Sequence, residues 1–335
     1  MTCTCTSRAS SLDSNSSTTS TSTEDFLFSS ISHNQNKLFI TRRLCESKFT
    51  ISLAKENITK TTYAIKAFPW DKKYNVPCLS YAKECRIAQF PHPNIITAFD
   101  CQQELQTEDS SNQKISYTIM EYAKNGDLHN VIISDKINLG DIISRTYFRQ
   151  LVAGLEAIHE KGAAHLDLKL DNLLLDENFR LKITDFDLCW HPEDPKVISK
   201  GSVNFRAPEL ATGICENPQK ADMYSLGIIL FVLKTSGRLP YDEKGFLNGI
   251  DMKSLLKNNQ SGFWQKQCEM LNKKASFFPL DFRKLFVSLT EEDAEKRPSL
   301  KEIKEFVWYS KFTYSDKELA LHMRDKINET LEIHV

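Results

Sequence analysis

The sequence changes its pattern once, near residue 122, and that change limits the folds open to it. Before it, β-branched and aromatic residues gather in short runs: "KLFITRRL" (37–44), "FTISLAK" (49–55), "TTYAIKAF" (61–68) and "ISYTIMEY" (115–122). Such runs are strand-forming. One helix interrupts them, "CLSYAKECRIAQF" (78–90), stopped by Pro91 and Pro93. A polar connector is expected at about 102–114. After residue 122, apolar residues fall at helical spacing, with Ile143, Tyr147, Leu151, Leu155 and Ile158 ahead of the terminating Gly162. Two short strands are expected around 172–184, then helical segments from about 221 to 308. This order predicts an α+β, bilobal fold: a small β-rich N-lobe with one main helix and a larger, mainly α-helical C-lobe.

The chemistry-bearing residues lie in the second lobe. Asp167, Lys169 and Asn172 share the loop "HLDLKLDN", and Asp185 in "TDFDLC" follows beyond two strand-like runs. Phosphoryl transfer from a nucleotide needs such a set: a carboxylate for the attacking hydroxyl, a cation for the γ-phosphate, and oxygen ligands for Mg²⁺.

At these residues the sequence resembles the eukaryotic protein kinase family, over roughly residues 38–310. "HLDLKLDN" is similar to the H-R-D-L-K-x-x-N catalytic loop, and "DFD" stands where D-F-G is usual. The resemblance implies that Asp167 accepts the substrate proton and that Lys169 neutralises the transferred phosphoryl group. It implies Asn172 and Asp185 as Mg²⁺ ligands, and Lys66 of "YAIK" as the α/β-phosphate lysine paired with Glu84. "MEYAKNGD" resembles the hinge. Met120 is then the gatekeeper, the backbone of Glu121 and Ala123 meets adenine, Asp127 lies at the ribose edge, and Leu174 forms the floor. Ile51 and Ala64 belong to the same nucleotide site by this resemblance. His165 and Phe186 take structural or regulatory places beside the two metal-side motifs. "GSVNFRAPE" resembles the end of an activation segment, closed by Glu209, for which Arg297 of "EKRPS" is the implied partner. Asp222 of "DMYSLG" matches the family's core aspartate, and Ser202 stands where a threonine usually bonds the catalytic Asp and Lys. Lys169 after "DL" is the serine/threonine pattern. Asp127 and Asp171 stand where basophilic kinases contact an upstream arginine.

Three positions depart from the family pattern. The first glycine of the chain is Gly126, so Cys45, Ser47 and Thr50 fill the glycine positions of the nucleotide loop. Glycines there let backbone N–H groups approach phosphates, so weaker nucleotide binding is expected. Leu166 replaces the arginine that contacts a phosphorylated activation loop, so phosphorylation at Ser199 is not expected to switch activity on. Asp187 replaces the D-F-G glycine and adds a carboxylate near the metal ligands, with Cys189 beyond it expected as a small core side chain.

The expected organisation is a disordered Ser/Thr-rich tail (1–36), a kinase domain (37–310, lobes 37–122 and 123–310) and a C-terminal helical tail (311–335). In that tail Ser315 and Glu318 form a capping-box pattern, with Leu319, Met323 and Ile327 on one face. A formal net charge of -1 gives no reason to expect nucleic acid as partner. No apolar run approaches the ~20 residues of a membrane span. The 9 cysteines are scattered and read as reduced thiols, consistent with a cytoplasmic or nuclear location. The expected function is Mg²⁺- and ATP-dependent phosphorylation of Ser/Thr hydroxyls on protein substrates. The alternative is a pseudokinase that acts as a binding scaffold.

Overall fold

Seven strands of the N-terminal half form one antiparallel sheet in the computed structural model, which describes residues 29–46, 48–106, 113–197 and 201–332. They are β1 (Ser30–His33), β2 (Asn36–Glu46), β3 (Thr50–Glu56), β4 (Thr62–Asp71), β5 (Val76–Pro77), β6 (Ala98–Gln106) and β7 (Lys114–Glu121). The main path runs β1-β2-β3-β4-β7-β6, and β5 pairs with β4. The pleat sends alternate residues to opposite faces. On β4, Ile65 and Ala67 join Leu38, Ala54, Ile115 and Ile119 in a core on one side. Ala64, Lys66 and Phe68 therefore face the other side, where α1 (Leu79–Ala88) and the interlobe cleft lie.

Two expectations shift here. The sheet begins at Ser30, inside the stretch that composition assigned to the tail. Asn34 and Gln35, at φ 47° and 65°, turn the chain so that Ile31 pairs with Leu38 and is buried. One buried Ile in a polar strand is too weak a signal to outweigh the Ser/Thr bias. The remainder of that tail, 1–28, lies outside the described residues. The expected connector 102–114 is shorter, because β6 extends to Gln106. Among the described residues it pairs with β7 alone, at the sheet edge, so "CQQELQ" remains polar without leaving the ladder.

The C-lobe packs around α2 (Gly140–Glu160) and α4 (Pro218–Thr235), the latter buried along nearly its whole length. Between them come the hairpin β8 (Leu173–Leu175) and β9 (Leu181–Ile183), then α3 (Pro208–Thr212). A second hairpin, β10 (Phe246–Leu247) and β11 (Ile250–Asp251), leads to α5 (Met252–Asn258), α6 (Gln260–Met270) and α7 (Leu280–Leu289). The short helices α8 (Leu300–Ile303) and α9 (Val307–Ser310) precede α10 (Asp316–Glu332). Ser315 caps α10 with Glu318, while Leu319 and Met323 are buried against the C-lobe core. Among the described residues no helix is long and apolar enough to cross a membrane. Among the described residues Cys78, Cys85, Cys101, Cys189, Cys215 and Cys268 carry free thiols.

Candidate active site

Three elements meet at Lys66. Its Nζ lies 2.8 Å from Glu84 Oε2 and 2.6 Å from Asp185 Oδ1. Glu84 reaches it because α1 turns Tyr81, Glu84, Ile87 and Ala88 toward the interior. The same Glu84 oxygen accepts the Phe186 N–H at 3.0 Å, so one buried carboxylate ties the helix to both β4 and the "DFD" segment. Asp185 takes φ 68°, an uncommon conformation for a residue with a Cβ, and Phe186 packs its ring 5.2 Å from that of His165. Burial alone lowers a lysine pKa, but Asp185 and Glu84 together hold Lys66 above the usual lysine range. Burial acts to raise Asp185, and the Lys66 charge overrides it, leaving that carboxyl below its ordinary value. Burial pushes Glu84 up, against the pull of Lys66.

The loop carrying Asp167 is held from beneath. The buried Asp222 carboxylate accepts the N–H groups of His165 and Leu166, each at 2.8 Å, and lies 2.8 Å from His159 Nε2. Leu166 needs that anchor because it sits at φ 63°. Its side chain is 2% exposed within the C-lobe core, so this position offers neither charge nor access to a phosphate group. Asp167 follows with its Oδ1 accepting from Ser202 Oγ at 2.6 Å. Asn172 Nδ2 donates to the Asp167 carbonyl at 2.8 Å, and Lys169 Nζ lies 3.3 Å from Asp167 Oδ2. The amide oxygen of Asn172 and the carboxylate of Asp185 thus form a pair of hard oxygen donors, a set suited to Mg²⁺.

Apolar side chains from both lobes meet in one cluster. Ala64 and Met120 are partners across β4 and β7, and both are buried with Ala123. Ile51 and Leu174 pack against the same cluster from β3 and β8. A flat aromatic base suits such a lining. The Glu121 side chain is occupied, with Lys182 at 2.8 Å and the Thr97 N–H at 2.9 Å, and its own N–H bonds to the Thr97 carbonyl. Asp127, expected at the ribose edge, follows the β7 end of the cluster. It is buried, and its two carboxylate oxygens accept from the Asn130 backbone and side chain, each at 2.8 Å. Cys45 and Thr50 stand on facing strands just outside the loop turn, opposite Ile51 and Glu46 respectively; Ser47 lies outside the described residues.

The segment after "DFD" is fastened at both ends. Glu209 and the buried Arg297 form a forked pair at 2.6 and 2.9 Å, and Arg297 also donates to the Lys220 and Glu291 carbonyls. At the other end, Lys83 of α1 donates to the Cys189 carbonyl at 2.6 Å and lies 3.4 Å from Asp194. Arg86 stands 3.6 Å from Asp194 and 3.5 Å from Glu193. Sequence reading did not single out Lys83, Arg86 or Asp194. Ser199 lies outside the described residues. Lys48 was missed as well, although it is the sole cation in the glycine-free stretch 44–52. It forms an ion pair with Asp187.

Comparison with known proteins agrees with this geometry. A family model described as protein kinase domain matches residues 48–309. CBL-interacting protein kinase 26 of Oryza sativa subsp. japonica is 32% identical over 280 residues, covering 81% of this chain and 52% of that protein. CBL-interacting protein kinase 11 of the same plant is 32% identical over 265 residues, 77% of this chain and 48% of that protein. NUAK family SNF1-like kinase 1 of Mus musculus is 28% identical over 262 residues, 77% of this chain and 36% of that protein. The chain spans about half the length of the rice relatives it matches.

Proposed function

The chain belongs to the protein kinase family, and from that membership we propose that it transfers the γ-phosphate of ATP to Ser and Thr hydroxyls of protein substrates. The observation that carries the proposal is the three-way contact of Lys66 with Glu84 and Asp185, at 2.8 and 2.6 Å. It requires strand, helix and metal-side segment to be assembled together, which is the arrangement the transfer needs.

Each residue then has a defined task. The slot of Ala64, Met120, Ala123, Ile51 and Leu174 receives the adenine, and Lys66 binds the non-transferred phosphates. Asp167, aimed by Ser202 and Asn172, accepts the proton of the acceptor hydroxyl as its oxygen attacks the γ-phosphorus. Lys169 neutralises charge on the transferred group. Mg²⁺ held by Asn172 and Asp185 would supply charge neutralisation at the phosphates. Activity is proposed to be independent of loop phosphorylation, because Leu166 is buried and apolar while Asp194 already bridges the segment to Lys83 and Arg86.

The alternative is a scaffold that binds nucleotide without transferring phosphate, favoured by the absence of glycine from the nucleotide loop. Labelled ATP and Mg²⁺ with a Ser/Thr peptide set distinguish the two. Label on peptide, lost in Lys66→Met, is expected for the kinase; nucleotide binding with no label on any peptide identifies the scaffold.

A further inference from the structure

Two of the three departures from the family pattern meet in space. Lys48 is the only cation of the glycine-free stretch, and its Nζ is ion-paired to Asp187, the residue standing at the usual glycine. The same Nζ lies 3.3 Å from Ser80 Oγ, at the start of α1. The Lys48 side chain is 59% exposed and that of Asp187 only 5%. Next to Lys48, the Phe49 ring is buried beneath the loop, 4.8 Å from Phe68, which in turn packs 5.6 Å from Tyr81 of α1. The loop is thus fastened on its polar side by Lys48 and on its apolar side by Phe49.

In a glycine-rich loop, bare backbone amides close onto the phosphates, so the ligand itself holds the loop down. Every residue of 44–52 carries a Cβ, which impedes that approach. We propose that Lys48 and Asp187 are positioning residues, an ion-pair clasp that holds the loop over the phosphate site from the protein side. It rests on the proposed function only in taking the ligand to be a nucleotide. The clasp accounts for both departures at once: Asp187 is the anchor that a glycine cannot provide, and the loop it anchors no longer depends on glycine.

The experiment compares the full chain with Lys48→Met, Asp187→Asn and the double variant, using calorimetric titration with MgADP and with adenosine, and hydrogen exchange without ligand. Each single variant is expected to weaken MgADP binding about 3- to 10-fold, and the double variant no more than the worse single one, because one interaction is being removed. Adenosine affinity should stay within about 2-fold, since adenosine lacks the phosphates beneath the loop. Amide exchange across 44–52 should rise in all three variants. Unchanged MgADP affinity and exchange in the single variants, or losses that multiply in the double variant, would overturn the clasp. Should Asp187→Asn fail to fold, Lys48→Met at its exposed position decides alone by the same two measurements. Neither measurement requires catalysis. A chain that transfers no phosphate but shows this pattern keeps the clasp and loses the kinase proposal, while a chain that transfers phosphate without the pattern does the reverse.

Discussion

Replacing Asp222 with alanine should loosen the Asp167 loop while sparing the nucleotide slot. The Asp222 carboxylate is fully buried and accepts two backbone N–H groups at 2.8 Å, from His165 and Leu166. Each buried donor left without an acceptor costs about 1–3 kcal/mol, so losing both costs about 2–6 kcal/mol. Relaxation at Leu166 offsets part of this, since its φ of 63° stores strain of order 1–3 kcal/mol that the intact bond holds in place. His159 contributes less, because its ring retains some access to solvent. A loss near 3 kcal/mol is a large share of the roughly 5–15 kcal/mol available to a folded domain. Urea unfolding followed by tryptophan fluorescence measures it, as Trp190, Trp264 and Trp308 all report on the C-lobe. Peptide phosphorylation should fall at least ~10-fold, because Asp167 is no longer aimed, while MgADP affinity stays within about 2-fold. Asp222→Asn should lie between, keeping one acceptor oxygen but turning an N–H₂ toward a donor. A loss of stability below about 1 kcal/mol together with unchanged turnover would refute this role for Asp222.

Arg297→Met removes a buried guanidinium that forks onto Glu209 and serves three backbone carbonyls, so a loss of about 3–5 kcal/mol is expected in urea. A loss under ~1 kcal/mol would place the pair among surface contacts. Lys83→Ala should reduce turnover about 10-fold by releasing α1 from Asp194 and the Cys189 carbonyl, and phosphatase treatment of the wild-type chain should change nothing. Partial recovery in Lys83→Asp with Asp194→Lys would confirm the contact, and a phosphatase-sensitive wild type would contradict it. Burial pushes the Cys189 thiol up to about 12 and the Cys215 thiol up to about 11. The folded state therefore keeps protons that unfolded thiols release near pH ~8.5, and stability should decline as pH rises from there. Equal melting temperatures at pH 8 and pH 10.5 would count against it. Cys189 should also resist alkylation until the chain unfolds, and rapid labelling of the native protein would show that it is not enclosed.

Most of what positions the site was legible because it is local or carried by motifs. Alternation along β4 puts Lys66 on the cleft face, and the order from Asp167 to Asp185 determines which loop meets which hairpin. The capping residues Ser315 and Glu318 mark where α10 starts. The misses have other causes. β1 and β6 end the sheet path, where a strand keeps polar residues and loses the apolar alternation that marks the interior. The Lys48–Asp187 pair joins residues 139 positions apart, a distance at which no sequence periodicity operates. A partial signal was present all the same: a carboxylate at a glycine position calls for a cation, and the facing loop contains one.

The central claim is phosphoryl transfer by a loop whose Asp167, Lys169 and Asn172 remain in place although Leu166 has replaced the arginine. Its most direct measurement is a single-turnover reaction with the chain in excess over γ-labelled ATP, with Mg²⁺ and a Ser/Thr peptide, run beside Asp167→Ala. Label should pass to peptide hydroxyls in the wild-type chain. In the variant, transfer should fall by at least about 100-fold with nucleotide affinity unchanged. Equal transfer by both proteins, or nucleotide bound by the wild type with no label on peptide, would contradict the claim.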